Sequence, residues 1–333
     1  MRILILGGTR NLGPLLVGEL AARGHRLAVC NRGVTPDDLP EEVERLRADR
    51  GDREQLARAL GARDFDAVID TTLYTGPEAE GAVALLDGRV GHYVALSSGQ
   101  VYLVRAGLRR PYVEEHYAGR VMPEPPRESR DWGEWKYGVD KRAAEDVLAA
   151  AVAERGFPAT LLRLPMVHSE RDHYQRLHNY VARLADGGPI LLPAGPHAPV
   201  RHVDGADVVR VIADLLESGS GLGGVYNLSQ EETVPIEACL ERVAEAAGRP
   251  LALARLPRER LLEEGLLPAC SPFSGLWMSE LDNRRSKREL GVGYTPFAAT
   301  VERLVAHLRR LGPPAGYSQR PRELALAAAA AAT

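Results

Sequence analysis

The stretch Met1-Arg2-Ile3-Leu4-Ile5-Leu6-Gly7-Gly8-Thr9-Arg10-Asn11-Leu12-Gly13 sets the fold class of this chain. Its apolar run predicts a buried first strand, and because glycines end the run so early we expect no leader peptide. Gly7 allows a tight turn, Gly7 or Gly8 lets a phosphate approach the backbone, and Gly13 allows close packing of the following helix. We therefore expect a dinucleotide pyrophosphate at this turn, in contact with the residues from Gly7 to Gly13.

Short β-rich runs alternate with helical runs through the first two-thirds of the chain. This alternation predicts an α/β fold with a Rossmann-type, doubly wound parallel sheet covered by helices on both faces. Ligands of such sheets bind at the carboxyl ends of the strands. The predicted strands are Arg2–Leu6, Leu27–Asn31, Val43–Ala48, Ala67–Asp70, Tyr93–Ser97, Ala159–Pro165 and Val225–Leu228. The predicted helices between them are Leu12–Arg23, Arg53–Leu60, Pro77–Leu86 and Glu134–Arg155.

The alternation loosens in two places, which predicts a second, smaller lobe. We interpret residues 1–166 and 199–229 as the NAD(P)-binding Rossmann domain. Residues 167–198 and 230–316 are interpreted as a smaller C-terminal substrate-binding lobe, with helices at Ile236–Ala247 and Val301–Leu311. The alanine-rich tail, residues 317–333, is expected to be either a frayed helix or disordered, and no function is assigned to it.

The amino-acid composition limits the kinds of binding partner expected for this chain. The 333 residues carry 42 basic and 45 acidic side chains, a net charge of −3, which gives no reason to expect a nucleic acid or a membrane surface. The three cysteines are far apart, so free thiols in a reducing cytoplasm are expected. His168, His173 and His178 lie five residues apart, about 140° around a helix, and lack an acid or cysteine cluster, so no metal site is expected.

The end of the second predicted strand indicates which dinucleotide binds. NAD sites tend to place an acid here for the ribose 2′-hydroxyl, whereas this chain has Asn31 and Arg32. Arg32, with Arg10, would bond a 2′-phosphate, which predicts NADP; NAD stays an alternative, because both arginines are also compatible with solvated loop positions. Asp52 is either an adenine contact or an ordinary turn residue.

Tyr137 and Lys141 are the strongest catalytic candidates. Residues four apart share one helix face, so the phenol and the ammonium point into one cleft. None of the other ten tyrosines has a lysine four positions later. We expect the ammonium to lower the pKa of the phenol, so that Tyr137 can exchange a proton with a substrate during hydride transfer.

Further residues are expected around this cleft at the ends of other strands. Ser98 follows the fifth predicted strand, where its hydroxyl would bond the substrate oxygen. We expect the cofactor to contact Thr71, Thr72 and Pro165, and the substrate to contact Tyr74, Gly99, Gln100, Trp135 and His168. For Trp135, packing beneath the loop is an equally good interpretation.

These motifs resemble the extended short-chain dehydrogenase/reductase superfamily, and specifically its NAD-dependent epimerase/dehydratase branch. The resemblance runs from Met1 to about Ser229, with weaker similarity to about Leu311. It implies that Tyr137 is the acid/base, that Lys141 holds the tyrosine and the nicotinamide ribose, and that Ser98 completes a triad. It also implies that Arg201 binds a sugar-nucleotide diphosphate, and that the chain forms a homodimer through two helices near Pro77–Leu86 and Glu134–Arg155.

The chain departs from the family pattern in three places. Arg10 replaces the middle glycine of the first turn, as in an atypical subgroup that includes chloroplast stem-loop RNA-binding proteins. Gly99-Gln100 replaces the Asp-Glu pair of sugar-nucleotide dehydratases, which argues against dehydration. The run Arg163–His168 lacks the asparagine of galactose-type epimerases, so epimerisation and carbonyl reduction both stay open.

Two hypotheses follow from the sequence. The first is an NAD(P)-dependent oxidoreductase or epimerase that acts on a hydroxyl or carbonyl carbon of a small molecule, such as a nucleotide sugar or a related compound. The second is a non-catalytic RNA-binding protein on the same fold. Retention of the tyrosine, lysine and serine together favours the enzyme.

Overall fold

A computed structural model describes residues 1–332 and contains one large parallel sheet with two small two-stranded sheets beside it. The large sheet has seven strands in the order β10-β6-β5-β4-β1-β2-β3, and every pair is parallel. The pairs β8–β11 and β7–β9 form the small sheets. The strands are β1 Arg2–Leu6, β2 Arg26–Asn31, β3 Glu44–Arg47, β4 Phe65–Asp70, β5 Val90–Ser98, β6 Ala159–Leu164, β7 Val167–His168, β8 Ile190–Pro193, β9 Val203–Asp204, β10 Val225–Asn227 and β11 Leu253–Leu256.

Helices cover both faces of the large sheet, which confirms the predicted α/β, doubly wound class. Helices α1 and α7 pack together on one face, and α3 and α5 pack together on the other. The helices are α1 Leu12–Ala22, α2 Arg53–Leu60, α3 Gly76–Leu86, α4 Gln100–Leu103, α5 Asp131–Arg155, α6 Arg176–Asp186, α7 Gly205–Ser218, α8 Ile236–Ala247, α9 Arg258–Glu263, α10 Arg284–Leu290, α11 Phe297–Leu308 and α12 Arg320–Ala331; short 3₁₀ turns lie at Glu114–Tyr117, Pro272–Ser274 and Ala315–Gln319.

The glycine turn between β1 and α1 has the backbone that the sequence predicts. Gly7 and Gly8 have φ angles of +98° and +86°, which side chains other than glycine rarely adopt. A Cβ atom on Gly13 would lie 2.3 Å from the carbonyl carbon of Gly8. The turn therefore depends on these glycines, and it places the amino end of α1 at the carboxyl edge of the sheet, where β2 and β4 flank β1 on opposite sides.

A second apolar core lies beside the sheet, between α6, α8 and α11. Apart from Val200, its buried residues come from the segments 167–198 and 230–316 that the sequence analysis assigns to a smaller lobe, and this division into domains stays a prediction. In the alanine-rich tail, for which the sequence left a frayed helix or disorder open, Arg320–Ala331 form α12, and Thr333 lies outside the described residues. Arg183 on α6 and Glu323 on α12 are both fully buried and form an ion pair, so α12 is anchored to this lobe.

Among residues 1–332, no helix combines the length and the apolar character that crossing a bilayer requires.

Candidate active site

One continuous cavity of about 1380 Å³ runs from the glycine turn along the carboxyl edge of the sheet to the second lobe. Such a crevice is where doubly wound sheets bind ligands. Most of the residues predicted as cofactor or substrate contacts line it. These are Gly7 to Gly13, Asn31, Arg32, Thr71, Thr72, Tyr74, Ser98, Gln100, Tyr137, Lys141 and Pro165.

The amino end of α1 offers a binding site for a phosphate anion. Asn11, the residue before the helix, has a φ of 50° and makes no side-chain hydrogen bond to the helix backbone. Its Oδ1 atom is buried without a hydrogen-bond partner. The first amides of a helix carry partial positive charge and lack partners within the helix. Together with the close-packed glycines, this end of the cavity fits the pyrophosphate of a dinucleotide.

The polar residues near the end of β2 form a cluster around Asn31. Its Oδ1 accepts hydrogen bonds from the backbone NH of Gly33 at 2.9 Å and from Nη1 of Arg47 at 2.6 Å. The Nε of Arg10 donates to Thr35 Oγ1 at 3.1 Å. Arg32 is 68% exposed and lies 4.0 Å from an Asp49 oxygen, so its guanidinium is largely free to bind an anion. The sequence analysis did not single out Arg47, because one arginine on a short strand has no pattern that marks it as a site residue.

Asp52, for which the sequence left an adenine contact or an ordinary turn residue open, caps a helix. Its carboxylate accepts a hydrogen bond from the backbone NH of Gln55 at 3.0 Å at the start of α2. The neighbouring residues Asp49 and Arg50 line the cavity, and Asp52 is not among its lining residues. The acid available to an adenine or ribose at this point of the structure is therefore Asp49.

The predicted catalytic residues meet at the middle of the cavity. Tyr137 and Lys141 lie on the inner face of α5, and Ser98 ends β5 beside them. The Ser98 hydroxyl lies close enough to the Tyr137 phenol to lower the pKa of that phenol. The Tyr74 ring approaches Tyr137, with 6.4 Å between the ring centroids. The phenol, ammonium and alcohol thus converge in the cleft that continues from the glycine turn.

The ammonium of Lys141 bonds backbone carbonyls, whereas the i,i+4 spacing suggested an interaction with the Tyr137 phenol. Its Nζ donates to the backbone carbonyls of Leu96, at 3.0 Å, and Leu73. It lies 5.9 Å from the centroid of the Tyr137 ring and 4.8 Å from that of Tyr74. Burial lowers the pKa of Lys141 to about 8. The ammonium is therefore held to the protein backbone at the base of the cleft.

The expectation of a lowered phenol pKa is wrong for this structure. Burial raises the pKa of Tyr137 to about 12, and the hydrogen bond from Ser98 only partly offsets this effect. The desolvation of the phenolate is the largest effect on this pKa. Tyr137 is therefore a protonated phenol at neutral pH, which suits it to donate a proton.

A buried polar network supports the catalytic residues from behind. Glu145, one turn after Lys141 on α5, accepts a hydrogen bond from the hydroxyl of Ser97. Arg163 on β6 pairs with Glu145 at 2.6 Å, and both side chains are only 4% exposed. Arg163 also donates to the Tyr102 hydroxyl at 2.7 Å. This network joins the end of β5 to α5 and so fixes Ser98 relative to Tyr137 and Lys141.

Four predicted substrate contacts lie outside the cavity lining. Trp135 packs beneath the loop before α5 and donates from Nε1 to the carbonyl of Met122 at 3.2 Å. His168 is buried and hydrogen-bonds His202 at 2.8 Å. Arg201 donates to the hydroxyls of Ser229 at 3.2 Å and Thr233 at 3.1 Å.

Gly99 is the fourth predicted contact outside the lining. It packs against Ser279, whose Oγ would lie 2.3 Å from a Cβ atom built at position 99.

The second lobe supplies cavity residues that sequence analysis missed. Arg176 and Asn179 lie on α6, and the others come from short irregular or 3₁₀ segments without a periodic pattern, so no sequence signal placed them at the cleft. The last of them belong to the segment that precedes α12, where the carbonyl of Gly316 accepts a hydrogen bond from Arg183 at 3.2 Å. They include Tyr174, Arg176, Asn179, Leu276, Trp277, Ser279, Ala315 and Gly316.

Within residues 1–332, no group of three or more His, Cys, Asp or Glu side chains is arranged to hold a metal ion. The three cysteines are buried free thiols.

Comparison with known proteins identifies the family. Residues 3–229 match the NAD dependent epimerase/dehydratase family, and the chain belongs to this family. It is 30% identical over 274 residues to 2'-dehydrokanamycin reductase of Streptomyces kanamyceticus, covering 79% of this chain and 72% of the relative. It is 26% identical over 266 residues to chloroplast stem-loop binding protein of 41 kDa b of Arabidopsis thaliana, covering 75% of this chain and 64% of the relative. The family predicted from the sequence motifs is confirmed.

Solved structures confirm the fold. UDP-glucose 4-epimerase of Thermotoga maritima, solved with UDP-glucose, superposes with a TM-score of 0.73 at 17% identity, covering 93% of this chain and 99% of that chain. The enzyme WbmH of Bordetella bronchiseptica, solved with NAD+, superposes with a TM-score of 0.69 at 20% identity, covering 93% and 99% of the two chains.

Proposed function

We propose that this protein is an NADP(H)-dependent oxidoreductase that reduces a carbonyl carbon, or oxidises the corresponding hydroxyl carbon, of a small molecule. The observation that carries the proposal is the convergence of Ser98, Tyr137 and Lys141 in a cavity continuous with the glycine turn. Similarity to a reductase of the same family supports it. The second hypothesis, a non-catalytic RNA-binding protein, does not account for this convergence.

The cofactor is proposed to bind along the carboxyl edge of the sheet. The amides at the start of α1 would hold the pyrophosphate, and Lys141 lies where it would reach the nicotinamide ribose. Arg32 and Arg10 would hold a 2′-phosphate, with the hydrogen-bonded Asn31 and Arg47 beside them. The exposed guanidinium of Arg32 and the absence of an acid at the end of β2 support NADP over NAD.

The side chains of the cleft would donate or accept the proton that accompanies hydride transfer. When bound, the nicotinamide supplies a hydride to the carbonyl carbon or accepts one from the alcohol. Tyr137 donates its phenolic proton to the carbonyl oxygen as that oxygen gains negative charge, and Ser98 stabilises the same oxygen through its hydroxyl. The charge of Lys141 stabilises the phenolate that Tyr137 becomes. In the oxidation direction Tyr137 accepts the proton instead.

A nucleotide sugar remains the alternative substrate, and an epimerase the alternative activity. Structural neighbours are named as epimerases, one of them with UDP-glucose, which supports both alternatives. Against a nucleotide sugar, Arg201 is held by Ser229 and Thr233 and lies outside the cavity lining. We therefore favour a smaller substrate without a diphosphate.

The expected homodimer through α3 and α5 also stays a proposal. These helices pack on each other within the chain, and the small residues Ala84, Ala143 and Ala149 on them are exposed. Small exposed residues allow two helix pairs to approach closely. Sedimentation equilibrium of the purified protein tests this proposal.

The function is tested with Tyr137→Phe. We expect turnover of a ketone with NADPH to fall by about 10² to 10⁴-fold, while the cofactor Kd stays unchanged, because only the proton donor is lost. Tyr226→Phe, at the far edge of the sheet, is the matched control and should leave turnover unchanged. A panel of NADPH and NADH with ketones and nucleotide sugars identifies the substrate class. If Tyr137→Phe turns over at the wild-type rate, the proposed mechanism is wrong.

A further inference from the structure

Glu134 is an acid inside the reactive cleft that the proton-transfer scheme does not use. It lies on the first turn of α5, three residues before Tyr137, and both side chains line the cavity. Residues three apart share a helix face and are separated by about 5 Å along the axis. The Glu134 carboxylate and the Tyr137 phenol therefore face the same cavity.

The Glu134 carboxylate is held in a fixed position. Gln100, at the start of α4, is only 6% exposed, and its Nε2 donates to Oε2 of Glu134 at 2.9 Å. The same Nε2 contacts the backbone carbonyl of Glu134 at 3.3 Å. An acid in the first turn of a helix is favourable in any case. The helix position alone does not explain why the buried side-chain amide of Gln100, on α4, also bonds the Glu134 carboxylate.

No cation of the described chain neutralises this carboxylate. No Lys or Arg nitrogen within residues 1–332 lies within 4.0 Å of it. The nearby cations are engaged elsewhere, because Arg176 pairs with Asp172 at 3.1 Å and Lys141 donates to two backbone carbonyls. Arg130, one turn before Glu134, also lines the cavity but forms no ion pair with it.

The electrostatic surroundings strengthen the negative character of this position. Partial burial and the negative charge of Asp131 raise the pKa of Glu134 above its usual range. Glu134 remains solvent-exposed at the mouth of the cleft, and a carboxylate without a cation partner is stabilised when a ligand supplies one. The cavity here can therefore accept a positive charge from the substrate.

An indole lies at the same end of the cavity. Trp277 lines it, and its Nε1 donates to the Asp131 carboxylate at 2.7 Å, which joins the second lobe to the first turn of α5. Leu276 and Met278 line the cavity on either side of Trp277. A carboxylate together with an aromatic ring is a combination that binds ammonium groups, through a charged hydrogen bond and a cation–π contact.

We infer that Glu134 is a specificity-determining residue, and that the substrate carries a protonated amine close to the carbonyl or hydroxyl carbon that reacts. The ammonium would donate to the Glu134 carboxylate while the reacting oxygen meets Ser98 and Tyr137. This inference rests on the proposed function, because it places the substrate in the same cleft.

The test compares two ketones of equal shape that differ in charge. 4-(Dimethylamino)cyclohexanone is protonated at neutral pH, and 4-isopropylcyclohexanone is its neutral counterpart. We expect the wild type with NADPH to favour the ammonium ketone by about tenfold in kcat/KM, the size expected for one charged hydrogen bond. Glu134→Gln should bring the ratio of the two kcat/KM values close to one, chiefly through KM for the charged ketone.

The control is Glu128→Gln, which removes the same charge from an exposed position outside the cavity lining. It should keep the wild-type preference. Equal kcat/KM values for the two ketones in the wild type, or equal preference in Glu134→Gln, would overturn the inference while the proposed function stands.

If neither ketone is turned over, the proposed function fails for this substrate class. Isothermal titration calorimetry with the two corresponding alcohols then tests the inference independently of turnover. Tighter binding of the ammonium alcohol by the wild type but not by Glu134→Gln supports it, and equal binding overturns it.

Discussion

The hydroxyl of Ser97 donates a hydrogen bond to the carboxylate of Glu145, which connects the end of β5 to the helix that carries Tyr137 and Lys141. Arg163 completes this connection from β6 with an ion pair of 2.6 Å. Ser97 precedes Ser98, and Glu145 follows Lys141 by one turn. The spacing of the three catalytic residues therefore depends on a charge pair buried behind them.

Glu145→Gln should be strongly destabilising. The amide keeps the shape of the side chain but leaves the charge of Arg163 buried without an ionic partner, which costs about 3 kcal/mol or more. The free energy of unfolding in urea measures the loss. Glu154→Gln on the exposed face of the same helix is the control and should change stability by less than about 0.5 kcal/mol. An unchanged urea midpoint in Glu145→Gln would show that the pair does not support the fold.

Arg32→Ala should change cofactor preference. One lost charged hydrogen bond raises the Kd for NADPH by about tenfold or more, whereas the Kd for NADH, which has no 2′-phosphate, should change by less than about twofold. Fluorescence titration of both cofactors measures the two constants. Arg26→Ala, exposed at the opposite end of β2, is the matched control. Equal losses for the two cofactors would contradict the NADP assignment.

The fold and the centre of the site could be predicted because their signals are local. The run from Arg2 to Gly13 contains its own strand, turn and helix start, and the spacing of Tyr137 and Lys141 places both on one helix face. The pKa of Tyr137 could not be predicted, because it depends on burial and on the neighbouring side chains of Ser98 and Tyr74, which are distant in sequence. Helical spacing contains no information about desolvation.

The substrate end of the cavity could not be predicted for a different reason. Trp277 lies in an irregular segment and Gly316 in a short 3₁₀ turn; neither segment has a periodic pattern, and only the packing of the second lobe brings them to the cleft. His168 shows the opposite error. Its position after β6 suggested a pocket residue, but the ring turns inward to His202 because the lobe buries both imidazoles.

The protein should lose stability as the pH falls from 6.5 toward 4. Burial lowers the pKa of His92 to about 4, so between these values the unfolded chain binds a proton that the folded protein does not. This difference contributes on the order of 3 kcal/mol, fully lost near pH 4. His92 Nε2 bonds Thr160 Oγ1 at 2.8 Å, and that hydroxyl donates to the carbonyl of Gly221.

His92→Gln tests this pH dependence, because its amide can donate the same hydrogen bond without titrating. Urea unfolding at pH 7 and at pH 4.5 should show that the free energy of unfolding falls less on acidification in the variant than in the wild type. His168 and His202, which stay in both proteins, account for the loss that remains. If acidification lowered the free energy of unfolding equally in the two proteins, His92 would be excluded as a source of the pH dependence.

Ala315→Trp should weaken substrate binding selectively. Ala315 is exposed and lines the substrate end of the cavity, so an indole there would occupy substrate space. KM for the substrate should rise by about tenfold or more, while the Kd for the cofactor stays unchanged. Gln319→Trp, exposed but outside the cavity lining, is the control. A variant with wild-type KM would show that the segment before α12 does not touch the substrate.

The buried pair of Arg183 and Glu323 has a consequence for how this enzyme can diversify. The cofactor end of the cavity is encoded near residue 7 and part of the substrate end near residue 316, about as far apart in the chain as two parts of one site can be. Under the proposed function, exchanging the segment that α12 anchors would change one end of the cavity and leave the glycine turn and the catalytic residues untouched. Homologous recombination with a breakpoint before Pro314 would therefore be an efficient route to new selectivity.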